Sequence, residues 1–488
     1  MTAPDPALPG STLPSPTLPG VAETAAAIRA GRLTATAAVE ASLARIAAWQ
    51  PVVNAFVRIE AEAALERARS LDRAAAAGDW AGPLHGVPLA HKDMFARPGS
   101  AMTGGSAILP GHPQPEPAPA VARLEAAGAI TIGWLNMSEF AAGPTGHNVH
   151  FGHNRNPWDP ARVTGGSSAG SGAAVAARMV AGALGSDTGG SIRLPAAMNG
   201  LVGLKPTYGR VSRAGSMPRA WSLDTIGPLT RTAEDAALMT AAIAGRCPRD
   251  PTTSDRPFPA GTGFLDRPVA GLTLGLPPAD WMADATPEVA DAVAAASAML
   301  AGLGMAPATV AAPPLDPFFA LGDAISKSEA AAAHGTWMRT RPQDYSVHVH
   351  SRTEAGFHIP ATRYLEATAL RGRLLRDFVA DVFAGIDVLA APILTFPVPT
   401  IAETDEEHTA AIPAMVARLT RYTRPFNYLG LPALALPIGF DGGGLPMAIQ
   451  LVGRPFSEPL LLRVAHQYQQ ATGWHLRAPA LPATAGAA

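Results

Sequence analysis

Two loops rich in glycine and serine decide how the rest of this sequence is interpreted. The first reads Gly165-Gly166-Ser167-Ser168-Ala169-Gly170-Ser171-Gly172. The second reads Gly185-Ser186-Asp187-Thr188-Gly189-Gly190-Ser191-Ile192-Arg193, and an alanine-rich stretch typical of a helix separates the two. Glycine permits tight turns, so composition alone fits two ordinary strand-to-helix turns as well as it fits a pair of catalytic loops.

The first loop also contains the G-x-S-x-G pattern of a nucleophile elbow over residues 166–170, which would make Ser168 the nucleophile. Such an elbow directly follows a hydrophobic strand and needs a later acid and a later histidine. Here the turn-rich residues 154–160 precede the loop. The sequence therefore disfavours Ser168 as the nucleophile.

Helical and strand patterns alternate around the two loops, which is typical of an α/β sheet. Helices are predicted over residues 34–51, 60–77, 119–128, 284–304 and 361–384, and another begins near Ser171. Short apolar strands are predicted over residues 84–93, 129–133, 183–185, 387–394, 431–440 and 447–452.

The composition argues against several classes of protein. The 488 residues carry a formal net charge of −2, which gives no sign of binding to nucleic acid or to an anionic membrane. The single cysteine, Cys247, cannot form an intrachain disulfide, and the proline-rich first residues do not resemble a signal peptide. No uninterrupted apolar stretch reaches about 18 residues. We therefore expect a cytoplasmic protein with no membrane partner.

Lysine is rare in this chain, so each lysine is informative. Of the 37 basic residues, only Lys92, Lys205 and Lys327 are lysine. Buried lysine can lose its proton near neutral pH, which arginine cannot do. A genome that favours arginine codons would also explain the bias, so composition alone does not distinguish one of these three lysines from the others.

Several long motifs occur in an order that resembles the amidase signature family. The two loops match the family signature, and further matching motifs lie at residues 86–93, 136–140, 192–197, 200–209, 222–228 and 427–433. The resemblance implies an α/β fold with a large, mixed, twisted central sheet flanked by helices on both faces. It covers most of the chain and is weakest over about residues 255–420.

The resemblance also implies the domain organisation. We expect a single domain over residues 21–480, with a catalytic core at about 80–245 and a variable, substrate-shaping region at about 255–420. A flexible proline-rich tail is expected at residues 1–20 and a short tail at 481–488.

The resemblance implies a catalytic triad of Lys92, Ser167 and Ser191, with a cis peptide bond between Gly166 and Ser167. The chemistry of these residue types agrees, because a serine hydroxyl needs a base and a buried lysine can become neutral. Ser167 can accept one proton while it donates another, so it can connect Lys92 to the nucleophile Ser191. Lys205 is expected to be structural, and His91 to serve packing.

The second loop is expected to bind the oxyanion that forms during acyl transfer. Its donors are the backbone N–H groups of Thr188, Gly189, Gly190 and Ser191. The resemblance implies supporting roles for Asp187 paired with Arg193, and for Ser168. Substrate contacts are expected from Met137, Gly143 and His147.

Three histidines recur at every third position as His147, His150 and His153, a spacing that could bind a metal on a helix. The surrounding glycines and prolines favour a loop at the substrate entrance instead, and no Cys, Asp or Glu joins the cluster locally. We therefore expect neither a metal nor another cofactor.

The implied reaction is hydrolysis of an amide, anilide, carbamate or hydrazide through a serine acyl-enzyme. We expect a small-molecule amide substrate, no nucleic acid and no second kind of subunit, with a homodimer allowed. The alternative is a glutamine-hydrolysing subunit that resembles the A subunit of glutamyl-tRNA amidotransferase and passes ammonia to a partner.

Two observations stand against that alternative. The arginine-rich stretch that such a subunit uses on the carboxylate of glutamine has no clear match at residues 350–360. The acidic residue expected shortly before Pro425 is also missing, because Thr420 and Arg421 occupy that stretch.

Overall fold

The structure is a computed structural model that describes residues 18–109, 114–405 and 412–480. Most of the tail predicted at residues 1–20, and all of the tail predicted at 481–488, lie outside the described residues. Leu18 is buried against the core together with Val21. The packed part of the chain therefore already includes Leu18, inside the segment predicted to be a tail.

The helices within the described ranges follow the chain in this order: α1 (Val21–Arg29), α2 (Ala35–Val53), α3 (Ala61–Ala76), α4 (Pro119–Ala126), α5 (Ala169–Ala176), α6 (Arg193–Asn199), α7 (Ala233–Ile243), α8 (Pro287–Gly302), α9 (Asp316–Thr340), α10 (Val347–Glu354), α11 (Ala361–Val382), α12 (Ile412–Thr420), α13 (Arg424–Tyr428) and α14 (Glu458–Thr472). Among these helices, none combines the length and the apolar character needed to cross a membrane.

The strands are β1 (Phe56–Ile59), β2 (Pro88–Lys92), β3 (Ile130–Leu135), β4 (Gly182–Asp187), β5 (Val202–Lys205), β6 (Thr225–Thr230), β7 (Thr273–Leu276), β8 (Ala306–Thr309), β9 (Val388–Pro392), β10 (Ala433–Phe440) and β11 (Pro446–Val452). In the part of the chain that is described, they form one sheet in the order β1-β3-β2-β4-β6-β5-β10-β11-β9-β7-β8. The pairs are both parallel and antiparallel, so the sheet is mixed.

The sheet has two halves that come from two stretches of the chain. Strands β1 to β6 form one half, and β7 to β11 form the other. The halves meet where β5 pairs antiparallel with β10, with Lys205 opposite Ala433. The region predicted to be variable contributes β7, β8 and β9 to the same sheet.

Apolar cores lie on both faces of the sheet. Leu89 and Leu184 belong to one core and Ala90 and Ala183 to the other, because neighbouring residues of a strand face opposite sides. Helices α2, α5 and α6 contribute to the core around Ala90, and α4 and α7 contribute to the core around Leu89. The predicted fold, a mixed sheet with helices on both faces, is confirmed.

Candidate active site

The two loops meet at the buried amine of Lys92. Lys92 ends β2, while Ser186 and Asp187 end the neighbouring parallel strand β4. The Lys92 Nζ lies 2.7 Å from the Ser167 Oγ and 2.9 Å from the Ser186 Oγ. The structure therefore brings the predicted base and relay into contact, and it adds Ser186, which the sequence did not single out.

The surroundings of Lys92 favour its neutral form. Burial lowers the pKa of the amine to about 7, although the charges of Asp224 and Asp187 act in the opposite direction. Burial also lowers the pKa of the adjacent His91 ring to about 3, so that ring is uncharged at neutral pH. A large fraction of Lys92 is thus able to accept a proton near neutral pH.

The first loop approaches Lys92 through a cis peptide bond between Gly166 and Ser167, as the resemblance implies. A Cβ on Gly166 would lie 2.6 Å from the carbonyl oxygen of Gly143, so only glycine fits there. Ser168 is fully buried, and its hydroxyl donates to the carbonyl of Ser186 at 3.2 Å. No strand directly precedes the loop. The geometry therefore also disfavours Ser168 as a nucleophile.

The second loop places Ser191 on a narrow cavity of about 40 Å³. The Ser168 N–H donates to the Ser191 carbonyl at 3.3 Å, so the two loops lie side by side. Asp187 and Arg193 form a buried ion pair with contacts of 3.0 and 3.1 Å. Burial alone would raise the pKa of Asp187, but Arg193 outweighs it and holds the pKa well below its usual range.

One of the four predicted oxyanion donors is already occupied. The Gly190 N–H donates to Asp187 Oδ1 at 2.7 Å, so the prediction for this donor is wrong. The N–H groups of Thr188, Gly189 and Ser191 form no hydrogen bond with any residue that the structure describes. Position 190 requires glycine for a different reason: its φ is +129°, and a Cβ there would lie 2.5 Å from the Thr423 Oγ1.

The cavity beside Ser191 combines loop backbone with arginine side chains. Gly143, Thr188 and Gly189 line it, so Gly143 lies where the sequence predicts a substrate contact. The other polar lining residues are Ser326, Thr420, Arg219, Arg352 and Arg424, and none of the described lining residues is acidic.

The arginines of this cavity weaken one argument made from the sequence. Arg352 lies within residues 350–360, where the sequence shows no clear match to a carboxylate-binding arginine. This single arginine weakens that argument against the amidotransferase alternative, although the stretch still has no arginine-rich match. The second argument was that no acidic residue stands shortly before Pro425. In the structure, Thr420 and Arg424 are the residues of that segment that line the cavity, and neither is acidic.

The other two predicted substrate contacts do not line this cavity. Met137 is fully buried and lines neither this cavity nor its neighbour, so its role as a substrate contact stays a prediction. His147 lines the neighbouring cavity, which shares Ala142 and Gly143 with the first. Its Nε2 lies 2.9 Å from the Thr404 Oγ1.

The three regularly spaced histidines lie in a loop and contact different groups. Besides the contact of His147 with Thr404, the His150 Nε2 lies 2.9 Å from Glu139 Oε1, and the His153 Nδ1 accepts from the Asn148 N–H at 3.0 Å. Among the residues that the structure describes, no group of three or more His, Cys, Asp or Glu side chains is arranged to hold a metal ion.

Comparisons with known proteins agree with this arrangement. The family model described as Amidase matches residues 37–462. A chain of a complex described as vestigial, which reveals the origins of an s-triazine catabolic enzyme, has a TM-score of 0.86 and 36% identity over 93% of this chain and 98% of that one. The native peptide amidase of Stenotrophomonas maltophilia has a TM-score of 0.81 and 30% identity over 95% of this chain and 99% of its own.

A relative from Azotobacter vinelandii changes the expected function. It is named as the A subunit of glutamyl-tRNA(Gln) amidotransferase and is 40% identical over 482 residues, which cover 94% of this chain and 98% of the relative. That name describes one component of a larger enzyme, whose substrate is linked to a nucleic acid. It contradicts the expectation of a lone chain that acts on a small molecule without nucleic acid. It also favours the amidotransferase alternative over a free-standing hydrolase.

The coarser prediction, an enzyme of the amidohydrolase type, is confirmed by the family match and by the solved amidases. The match covers both loops, the strands that carry them and most of the second half of the sheet. This chain therefore belongs to the amidase signature family.

Proposed function

We propose that this chain cleaves the C–N bond of a primary carboxamide through a serine acyl-enzyme, as one component of an assembly of the amidotransferase type. The observation that carries the proposal is the contact of 2.7 Å between the buried Lys92 Nζ and the Ser167 Oγ, beside the cavity that Ser191 lines. Lys92, Ser167 and Ser191 are the proposed base, relay and nucleophile.

The first step is activation of the serine. Neutral Lys92 takes the proton of the Ser167 hydroxyl while Ser167 takes the proton of Ser191. A neutral amine has one lone pair and two N–H bonds. The Ser186 hydroxyl at 2.9 Å can accept one of those N–H bonds, which leaves the lone pair directed at Ser167. Ser186 is thus a proposed positioning residue for the base.

The attack of Ser191 on the carbonyl creates a negative charge on the carbonyl oxygen. The N–H groups of Thr188, Gly189 and Ser191 have no other acceptor among the described residues, which supports them as the oxyanion donors. The buried ion pair of Asp187 with Arg193 stabilises the loop that carries these three N–H groups. Ser167 then gives its hydroxyl proton to the departing nitrogen and regains one from the Lys92 ammonium, so the C–N bond breaks and ammonia leaves. Water, activated by the same relay, then attacks the acyl-enzyme and releases the carboxylic acid and Ser191.

The assembly is proposed from the relatives. The Azotobacter vinelandii relative is named as one component of an amidotransferase, and the s-triazine relative was solved as a protein complex. Ammonia released at Ser191 would then be passed to an acceptor held by a partner, with glutamine as the first donor to test. A second candidate is hydrolysis without transfer of ammonia, which the similarity to a peptide amidase favours.

The experiment uses the full chain, tagged and purified from its native host together with its bound partners. Ammonia release is measured with glutamine and with other primary amides, for wild type and Ser191→Ala. We expect release that the variant abolishes. A rate of ammonia release that rises when glutamyl-tRNA and ATP are added would favour ammonia transfer. A rate that neither of them changes would favour simple hydrolysis. Failure to release ammonia from any primary amide would contradict the proposal.

A further inference from the structure

The wall of the cavity beside Ser191 contains a buried cation that no described residue neutralises directly. Arg219 lines the cavity, is only 4% exposed, and its Nη1 forms no hydrogen bond with the rest of the described chain. We propose that Arg219 binds a carboxylate on the acyl part of the substrate and selects carboxamides that carry a net negative charge. This inference rests on the proposed function and names its substrate class.

The first step of the argument concerns the charge of Arg219. Burial is the main cause that lowers the pKa of Arg219 to about 9, which leaves it a cation at neutral pH. The charge of Arg352 lowers this pKa further, and the charge of Asp224 raises it. A buried cation without a hydrogen-bond acceptor is unfavourable for the folded protein. Because Arg219 lines the cavity beside Ser191, a bound substrate can supply the missing acceptor, and a carboxylate binds a guanidinium best.

The second step concerns the nearest acidic groups, which already have partners. The Asp224 carboxylate accepts from the Thr188 hydroxyl at 2.5 Å and from the backbone N–H groups of Arg219 and Ala220 at 3.0 Å each. The Asp323 carboxylate pairs with Arg424 and, at 2.7 Å, with Lys327. Both charges favour the cationic form of Arg219, but neither carboxylate accepts a hydrogen bond from its Nη1.

The third step concerns what this charge distribution rejects. A substrate ammonium in the cavity would lie near Arg219 and Arg424, and no described lining residue is acidic. Like charges in a desolvated site repel strongly, so an ammonium is disfavoured there. The preferred substrate is therefore an amide with a carboxylate and no ammonium, rather than a zwitterion such as glutamine.

Three primary amides with the same five-carbon chain test this selection. Glutaramate carries one carboxylate, glutamine adds an ammonium, and pentanamide carries no charge. We expect kcat/KM to fall from glutaramate to glutamine, because the cavity arginines repel the ammonium. It should fall by about 10-fold or more again from glutamine to pentanamide, because a hydrogen bond between charged groups contributes at least that much. Equal or faster turnover of glutamine would overturn the inference and leave the proposed function intact.

Variants locate the selection at Arg219. Arg219→Met should raise KM for glutaramate about 10- to 100-fold with little change in kcat, and should leave pentanamide within about threefold. Arg219→Lys, which keeps a cation, should retain part of the preference for glutaramate over pentanamide. Arg231→Met is the matched control, because Arg231 is also buried with unpartnered guanidinium nitrogens among the described residues but lines a different cavity. A loss of rate on all three amides in Arg219→Met would show a structural role and overturn the inference.

A binding measurement separates this inference from the proposed function. Titration calorimetry with glutarate, a dicarboxylate that needs no turnover, should show binding to wild type and to Arg231→Met that is about 10- to 100-fold weaker in Arg219→Met. If none of the amides is hydrolysed, the proposed function fails, and glutarate still decides the role of Arg219. Equal binding of glutarate by wild type and by Arg219→Met would then overturn the proposed role of Arg219 as a carboxylate-binding residue.

Discussion

Replacing Lys92 with arginine tests whether a neutral amine is the base. Burial lowers the pKa of Lys92 from 10.5 to about 7, so about half of the amine is neutral at pH 7. An ordinary lysine would be only about 0.03% neutral at that pH, so burial supplies the reactive form at a level about a thousandfold higher. Arginine keeps its proton at any working pH. Lys92→Arg should therefore lower kcat/KM by about a thousandfold or more.

The assay is ammonia release from the best primary amide between pH 6 and 9. For wild type, kcat/KM should rise with pH through about 7 and then level off, because the deprotonated amine is the active form. Lys92→Met, which is neutral and of similar size, should fold normally by its melting curve and be as inactive as Lys92→Arg. Substantial activity in Lys92→Arg, or a wild-type rate that falls over this range, would refute the role of Lys92 as base.

Three further substitutions test the surrounding site. Ser191→Ala should abolish labelling by a fluorophosphonate probe while Ser168→Ala retains it, and the reverse result would restore the G-x-S-x-G interpretation. Ser186→Ala removes the hydroxyl at 2.9 Å from Lys92 and should lower kcat about 2- to 10-fold at unchanged KM; an unchanged kcat would make that contact incidental. Asp187→Asn leaves Arg193 buried without its counter-charge and should destabilise the protein by about 3–5 kcal/mol, measured by denaturant unfolding; a denaturation midpoint equal to that of wild type would contradict a stabilising ion pair between Asp187 and Arg193.

The sequence predicts best where one short segment determines the chemistry. The two loops point to Ser167, Asp187 and Ser191 because they match the family signature, since their glycine content alone fits two ordinary turns equally well. Strands such as β10 and β4 are predicted because continuous apolar runs mark strands buried on both faces. The contact between Lys92 and Ser167 spans 75 positions, and only the family resemblance could connect them.

Other features depend on packing that no local pattern records. Helix α9 is not predicted, because residues 330–333 are all alanine and give no contrast between a buried and an exposed face. It contributes Ser326 to the cavity beside Ser191. The cavity arginines escape prediction for a similar reason, since 34 arginines are distributed along the chain and nothing local distinguishes Arg219 from the others. What distinguishes Arg219 is the combination of burial, a guanidinium nitrogen without an acceptor among the described residues, and a place on the cavity beside Ser191.

The junction of the two half-sheets has a consequence for synthesis of the chain on the ribosome. The first half-sheet is complete once residue 230 has emerged, yet the edge of β5 stays unpaired until β10 arrives some 200 residues later. The hydrogen bonds that hold Arg193 beside Asp187 also form late in synthesis. Arg193 donates to Asn427 at 2.6 Å and to Gln450 at 2.8 Å, and both partners lie near the end of the chain. A nascent or prematurely terminated chain would therefore expose an unpaired strand edge that is prone to aggregation. The loop that carries Ser191 would also lack the contacts of Arg193 with Asn427 and Gln450. Activity should appear only when almost the whole polypeptide has been released.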